Sequence, residues 1–424
     1  MNAKLATFLA IGLMMATGAS LALAEGDGGV ARSDVPRASA APGDAVEAGA
    51  AVDAFGVDLY RAVAAGRTNV VLSPASITLA LAMARAGARG QTASEMDAVM
   101  HAVAADEHAG WLNALDQALG SRSGSFTDDS GQVLPVTLRI AHAPFAQPGM
   151  PFEPGYLDAL ATRYGAGLRL VDYATQTEAA RQLINGWVDA QTEGRIAELL
   201  GPGVLTTATR LALVDAIYLK APWLTPFPVD ATKDAGFTRA DGSTVVVPYM
   251  RQEASLPYAT GDGWRAVEIP YLGGSLAMTV IVPDDLAAFE KTVTVDALGA
   301  ITAALTGTQV ALALPRFGIE TQAELAPILA ALGMPSAFDD RADFSGITAA
   351  QRLVISAVIH DANVEVDEKG TEAAAATAVV MGPTSLPAQA VQLRVDRPFL
   401  FALRDLPTGA ILFLGRVGDP SMGR

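Results

Sequence analysis

One stretch near the C-terminal end, VEVDEKGTEAAAATAVVMGPTSLPA (364–388), constrains the possible folds most strongly. Its alanine run favours a helix by intrinsic propensity. Between Glu372 and Ala378, however, there is no large apolar residue through which such a helix would pack. Read instead as a strand, one face would consist only of small, uncharged side chains, as a strand buried inside a sheet requires. That inward face would be formed by Thr371, Ala373, Ala375 and Thr377. Because Gly370 gives the backbone freedom to bend, the stretch is predicted to exist either as a loop or as a strand.

The N-terminal residues differ in composition from the rest of the chain. Residues 1–24 join a short basic start to an apolar run that ends in Ala22-Leu23-Ala24, which is typical of a secretory signal peptide. A membrane anchor is the alternative, but Gly12, Gly18 and Ser20 interrupt the apolar run. No membrane span is expected in the mature chain. Residues 25–49, rich in Gly, Ala and Pro, are predicted to form a flexible linker, and residues 50–424 the folded domain.

Charge and composition exclude several classes of partner. The formal net charge is −16, which disfavours nucleic acid and anionic polysaccharides as ligands. The chain has no cysteine, which excludes disulfides, thiolate nucleophiles and cysteine-based zinc sites. Hydrophobic residues make up 51% of the chain, enough for a large core. Helical patterns dominate the first half and strand patterns the second, which predicts an α+β fold.

A search for an active site finds no catalytic constellation. His101 and His108 are seven residues apart and have no third ligand at metal-binding spacing, so a solvated helix face is expected there. The chain has no G-x-S-x-G elbow, phosphate loop or dinucleotide fingerprint. We therefore expect no enzymatic activity, no metal and no cofactor.

Several motifs together resemble one known family. They are EKGTEAAAATA (368–378), LRVDRPFLFAL (393–403), NVVLSPASITLALAMARAGARGQTASEM (69–96), LINGWVDAQTEGRI (183–196), AIYLKAPWLTPF (216–227), LPRFGIET (314–321) and ADFSGIT (342–348). In this order they resemble the serpins, a family of serine protease inhibitors, over residues 50 to about 421. The resemblance implies an α+β fold with three β-sheets, eight or nine helices and an exposed reactive-centre loop at about 368–392.

The resemblance also implies a mechanism. A serine endopeptidase attacks the loop, the loop inserts as a strand into the central sheet, and the covalent acyl-enzyme is trapped. Counting from Glu368 along the loop gives Thr384–Ser385 as the attacked bond, with Met381–Gly382 as second choice. A small residue after Pro383 suits an elastase-like protease, whereas Met381 would suit a chymotrypsin- or subtilisin-like one.

Three further groups of residues carry over from the family by position. The hinge of the loop is formed by Glu368, Gly370, Thr371, Ala373, Ala375 and Thr377. The shutter, where the central sheet opens, is formed by Ser73, Ser76, Asp215 and His360, and the breach, where insertion begins, contains Trp223. The family usually has Asn at the position of Asp215, and an Asp there is expected to pair with His360.

The remaining expectations concern partners and location. The region 107–125 is not basic, so heparin binding is not expected, and the protein is expected to be a monomer. The alanine-rich composition suggests a bacterial-type secreted or periplasmic protein. The alternative function is that of a non-inhibitory serpin acting as a binding protein, although such members commonly carry bulky or charged hinge residues.

Overall fold

The computed structural model describes residues 29–41, 43–372 and 390–423. Helices occur mainly in the first half of this part of the chain, as the sequence predicts. Nine α-helices are present in the described residues: α1 (Asp44–Ala64), α2 (Pro74–Gly87), α3 (Gly90–Val99), α4 (Ala105–Gly120), α5 (Pro154–Tyr164), α6 (Thr177–Gln191), α7 (Leu286–Glu290), α8 (Val295–Ala303) and α9 (Ala326–Leu332). Every one of them is too short or too polar to cross a membrane.

Strands dominate the second half. They are β1 (Val30–Ala31), β2 (Val70–Leu72), β3 (Gly124–Thr127), β4 (Val133–Ala146), β5 (Leu168–Leu170), β6 (Leu211–Pro222), β7 (Lys233–Thr238), β8 (Thr244–Gly261), β9 (Trp264–Pro270), β10 (Leu276–Pro283), β11 (Thr306–Pro315), β12 (Phe317–Glu324), β13 (Ala357–Val366), β14 (Gly370–Thr371), β15 (Val391–Arg394), β16 (Phe399–Asp405) and β17 (Ile411–Val417). The predicted α+β class is confirmed.

The resemblance implies three β-sheets, and within the described residues hydrogen bonds join the strands into two large sheets. The central sheet has the order β1-β5-β4-β6-β14-β13-β12, with β3 paired to β4. The other has the order β15-β11-β8-β9-β10-β16-β17-β2, with β7 paired to β8. The second sheet is continuous because the long strand β8 pairs with β11 along most of its length and with β9 at its end.

Local sequence signals set several of the element boundaries. The side chain of Ser73 caps α2 by accepting a hydrogen bond from the backbone N–H of Ser76 at 3.2 Å, and Pro74 occupies the first turn. Between β9 and β10, Gly273 and Gly274 have φ values of +90° and +70°, which explains why glycine stands at both turn positions. α2 is buried along most of its length and packs against β4, β6 and β17.

The prediction of a flexible linker over residues 25–49 is wrong where the chain forms regular structure. Val30 and Ala31 form β1 at the edge of the central sheet, and α1 already begins at Asp44, whereas residues 32–41 form neither helix nor strand. A Cβ on Gly49 would lie 2.6 Å from the carbonyl oxygen of Thr408. At position 49 the small residue therefore reflects a tight helix contact. The predicted signal peptide lies outside the described residues.

The sequence pattern predicts a helix over residues 323–332, but the helix starts later in the structure. Ala323 belongs to β12, where it is paired with His360 of β13, and α9 begins only at Ala326. Ala323 continues the strand because residues 317–323 alternate between buried and more exposed positions, as in a strand with one buried face. β12 therefore extends the central sheet up to the first turn of α9.

Candidate functional site

The central sheet is open between two of its strands. β6 and β13 pair in parallel from Ala212 with Ala357 to Ala216 with Asp361. Beyond that point, residues 217–220 of β6 and 362–365 of β13 have no strand partner across the gap among the described residues. We call this gap the slot. At a rise of about 3.3 Å per residue, its length is on the order of 13 Å.

The far end of the slot is closed by the first residues of the hinge. β14 is antiparallel to both neighbours, with Thr371 opposite Ala221 of β6 and Val366 of β13. Gly370 approaches β6 so closely that a Cβ would lie 2.1 Å from the carbonyl oxygen of Ala221. Only glycine fits there without backbone movement, which is the structural reason for Gly370.

The breach tryptophan holds the turn that leads into β14. Trp223 is 1% exposed, its Nε1 donates to the carbonyl of Asp367 at 2.9 Å, and its backbone N–H donates to Lys369 at 2.8 Å. Its ring stacks on Tyr271 with the centroids 4.5 Å apart. The Tyr271 hydroxyl in turn hydrogen-bonds the Thr371 hydroxyl at 2.6 Å. Thr371 is therefore fixed on the core face of the sheet.

The hinge glutamate is a buried anchor. Glu368 is 3% exposed and accepts hydrogen bonds from Arg316 Nε at 2.7 Å and from the Thr232 hydroxyl. Its carbonyl accepts from the backbone N–H of Phe227 at 2.8 Å. Burial acts to raise the pKa of Glu368, but the bonds from Arg316 and Thr232 outweigh it and hold that pKa below its usual value. The start of the loop is thus fixed to the body of the protein.

Glu372 directly follows β14. Its φ is +51°, in the left-handed region, although its backbone N–H still donates to the carbonyl of Glu365 at 3.1 Å. Its carboxylate lies 3.2 Å from Arg195 Nε, and its side chain is 2% exposed. Burial raises the pKa of Glu372, and the positive charge of Arg195 opposes that effect. Residue 372 thus points away from the core face on which Thr371 lies.

The structure brings the four shutter residues together where β6 and β13 are paired. The Ser76 hydroxyl donates to Asp215 Oδ1 at 2.9 Å, and the same oxygen lies 2.7 Å from His360 Nδ1. His360 Nε2 accepts from the backbone N–H of Ser73 at 3.1 Å. All four residues are at most 1% exposed. The expected pairing of Asp215 with His360 is confirmed, and the network links α2 to both strands.

A buried carboxyl beside the shutter gives a pH-dependent prediction. Asp361 is 2% exposed, and its Oδ1 has no hydrogen-bond partner among the described residues. Burial raises the pKa of Asp361 from 3.8 to about 6, and the charge of Glu320 acts in the same direction. The folded protein therefore holds this proton more tightly than the unfolded chain. The free energy of unfolding should fall as the pH rises from about 4 to about 6, by up to about 1.4 kcal/mol per pH unit.

Asp361→Asn should remove this contribution, and urea unfolding midpoints measured between pH 4 and 7 would show it as a flatter profile. The matched control is Asp129→Asn, which removes an exposed carboxylate in the turn between β3 and β4. This control should keep the wild-type slope. An unchanged slope in Asp361→Asn would contradict the assignment.

Part of the predicted site lies outside the described residues: Ala373, Ala375, Thr377, Met381, Gly382, Thr384 and Ser385. Residues that sequence reasoning missed are Tyr271, Arg316 and Arg195, which contact the hinge from distant strands and loops. Arg195 and Arg316 lie inside two of the motifs that resemble the family, LINGWVDAQTEGRI and LPRFGIET, but no local pattern shows that they contact the hinge. The sequence signal at Tyr271 is an aromatic residue next to a Gly-Gly turn.

The expectation about the histidines is wrong in one respect. His108 is 3% exposed, so it does not lie on a solvated helix face, whereas His101 is on the surface and 2.9 Å from Asp58. In the described part of the chain, no three His, Asp or Glu side chains are grouped so that they could hold a metal ion.

The fold and this site define a class of protein with room for one more strand in its central sheet. Its two middle strands are paired at one end and held apart at the other by the start of an incoming segment. Residues 50–420 match the family described as serpin (serine protease inhibitor). The chain belongs to the serpin family.

Individual relatives agree with this assignment. The leukocyte elastase inhibitor of Bos taurus is 36% identical over 381 residues, covering 86% of this chain and 97% of that protein. A serpin-like protein of Thermococcus kodakarensis, described as uncharacterized, is 38% identical over 382 residues, covering 88% and 86%. These relatives come from a mammal and an archaeon, so they give no support to the expected bacterial-type origin.

Solved structures share the fold. Thyroxine-binding globulin in complex with thyroxine matches with a TM-score of 0.77 at 26% identity, covering 88% of this chain and 99% of that chain. Native tengpin, a thermophilic serpin, matches with a TM-score of 0.78 at 24% identity, covering 92% and 97%.

Proposed function

We propose that this chain is a suicide inhibitor of serine endopeptidases. The observation that carries the proposal is the slot together with the seated start of the hinge: Gly370 and Thr371 already occupy strand positions between β6 and β13. The protease cleaves the loop, the acyl-enzyme forms, and the loop continues into the slot as a central strand. The attached protease is carried along, and hydrolysis of the acyl bond stalls.

The register of β14 defines two stages of insertion. Thr371 pairs with Ala221 and Val366, and the strands are antiparallel. Each further residue moves one position along both strands, so residues 372–375 fill the slot. Ala376 then falls level with Ala216 and Asp361, the last parallel pair. Insertion beyond residue 375 must therefore separate β6 from β13.

The shutter lies across this second stage. The next pair to separate is His360 with Asp215, which share the hydrogen bond of 2.7 Å described above. Buried hydrogen-bonded pairs of this kind resist opening, so the uncleaved chain would remain in the open-slot state for kinetic reasons. About ten new strand residues at roughly 1 kcal/mol each give a driving force on the order of 10 kcal/mol.

The composition of the hinge supports insertion. Thr371 faces the core with Leu219 and Val364 further along the same face, and all three are at most 3% exposed. By alternation, Ala373, Ala375 and Thr377 would face the same way. Small side chains fit this face without an uncompensated charge.

The target is proposed to be an elastase-like protease, with cleavage at Thr384–Ser385. The small residue at 384 and the similarity to proteins named leukocyte elastase inhibitor support this. Cleavage at Met381–Gly382 by a chymotrypsin- or subtilisin-like protease is the second choice. The chain is further proposed to act as a monomer and to be exported to the periplasm or the medium, on the basis of residues 1–24.

A non-inhibitory binding protein is the second candidate function. It is favoured by the similarity in fold and sequence to thyroxine-binding globulin, whose structure holds thyroxine. The small hinge residues argue for inhibition instead.

A denaturing gel separates the two functions. The protein is mixed with elastase, subtilisin, chymotrypsin and trypsin, and mass spectrometry locates the cut. We expect a heat-stable band of the covalent complex, near the sum of the masses of this chain and the protease, with elastase or with subtilisin or chymotrypsin. Clipped protein without a covalent complex across the panel would favour the binding protein.

A further inference from the structure

A cavity of about 480 Å³ lies among α2, α3, α4 and α5, away from the slot. Its wall includes the first turn of α4 and residues from the other three helices. The basic side chains and the imidazole in its wall are those of Arg85, Arg89, Arg163 and His108, and the acidic ones are those of Asp97, Asp106 and Asp158. Neither the hinge nor the shutter contributes a residue, so protease inhibition does not explain this cavity.

His108 lines the cavity without a partner for its ring. It is 3% exposed, and neither Nδ1 nor Nε2 has a hydrogen-bond partner among the described residues. Burial lowers the pKa of His108, so a neutral ring with one donor and one acceptor is present at pH 7. Each buried polar atom left unpaired costs about 1–3 kcal/mol. The ring therefore favours a polar ligand beside it.

The N-terminus of α4 borders the same cavity. α4 has 16 residues, and its N-cap is Ala104, which offers no side-chain hydrogen bond. The backbone N–H groups of the first turn point out of the helix and carry the positive end of its dipole. Ala105, Asp106 and Ala109 of this region line the cavity with His108. A helix N-terminus without a side-chain cap is suited to an anion, and the exposed side chains of Asp106 and Glu107 in the first turn oppose this effect in part.

One of the guanidinium groups lacks a partner. The side chain of Arg163 forms no ion pair or hydrogen bond with the described residues, whereas Arg89 donates to the carbonyl oxygens of Ala86 and Ala88 and its charge lowers the pKa of Asp343. Arg85 is held by Asp97 through two bonds of 2.6 Å. Arg163 therefore remains available to a negatively charged ligand.

The acidic residues restrict the ligand to a small one. Asp97 is occupied by Arg85, and Asp158 accepts from the Ser33 hydroxyl at 2.5 Å. Asp106 is exposed at the start of α4. With three arginines and three aspartates, the cavity wall is close to neutral as a whole. A polyanion would meet these carboxylates, whereas a single anionic head group can sit at the end formed by His108 and Arg163.

We propose that this cavity binds a small oxyanion of the phosphate or phosphate-monoester class. Its oxygens accept hydrogen bonds from the first turn of α4, from Arg163 and from the ring of His108. The remaining volume, lined by Ala82, Ala86 and Met100, holds a small apolar substituent. Because the ligand contacts helices from different parts of the chain, it stabilises the folded state by mass action.

The test is a titration of the full chain with inorganic phosphate and, separately, with phenyl phosphate. Calorimetry and thermal unfolding are both run at constant ionic strength, with chloride as the balancing anion. We expect saturable one-to-one binding, and at least a tenfold loss of affinity in Arg163→Gln with partial recovery in Arg163→Lys. The matched control Arg210→Gln removes the same charge from a side chain that donates only to the carbonyl oxygens of Thr207 and Thr209, and it should bind as the wild type does.

The imidazole resonance that disappears in His108→Gln should move when phosphate is added. Tighter binding of phenyl phosphate identifies an organic monoester as the ligand class, and equal binding identifies inorganic phosphate. Absence of saturable binding of both compounds overturns the proposal. So does binding that Arg163→Gln leaves unchanged.

Discussion

Thr371→Arg should turn the inhibitor into a substrate. Thr371 is 1% exposed and bonded to Tyr271 at 2.6 Å, on a face formed by Ala221 and Val366. An arginine there would bury a charge without a partner, at a cost of several kcal/mol, so we expect residue 371 of the variant to leave the sheet before cleavage. Insertion would then have to bury this charge, and each 1.4 kcal/mol added to the insertion barrier slows insertion about tenfold. Hydrolysis of the acyl-enzyme would then precede trapping.

The measurement is the stoichiometry of inhibition, together with the ratio of covalent complex to clipped protein on a denaturing gel. We expect almost all of the variant to be clipped and no more than a few per cent trapped. Thr371→Val keeps the size of the side chain, loses only the bond to Tyr271, and should remain an inhibitor. Gln392→Arg, which adds the same charge at an exposed position of β15, should also inhibit normally. Undiminished trapping by Thr371→Arg would refute the insertion mechanism.

Trp223→Ala should be the most destabilising substitution at the breach. It removes a fully buried ring, its stacking on Tyr271 and the hydrogen bond from Nε1 to Asp367. Removal of a buried Trp side chain typically costs about 3–5 kcal/mol. The turn before β14 would lose its support, so the start of the hinge should leave the sheet as well.

Urea unfolding followed by circular dichroism measures the loss, and limited proteolysis around residue 368 measures the release of the hinge. Trp223→Phe keeps an aromatic ring but not the donor, and should cost only about 1–2 kcal/mol. The control is Trp264→Ala at the half-buried start of β9, which should leave the hinge resistant to proteolysis. Equal hinge cleavage in the Trp223→Ala and wild-type proteins would show that Trp223 does not anchor the turn.

Short-range chemistry made much of the fold predictable. The Ser73-Pro74 start of α2 and the Gly273-Gly274 turn can be read from the sequence because a cap or a tight turn is decided by a few neighbouring residues. The linker prediction failed for the opposite reason. A small residue is required at position 49 because the backbone there packs against Thr408, which is far away in the chain.

The residue pattern alone limits which residues can enter the sheet. The alternation of small side chains after Gly370 restricts the buried face of any strand formed there, and the resemblance to the family predicts the shutter by position. The folded chain alone shows that the hinge is seated as far as Thr371, that Arg316 holds Glu368, and that His360 meets Ser73 across 287 residues. These contacts follow from the register of β6 and β13, and register depends on the packing of the whole sheet, to which residues distant in the chain contribute.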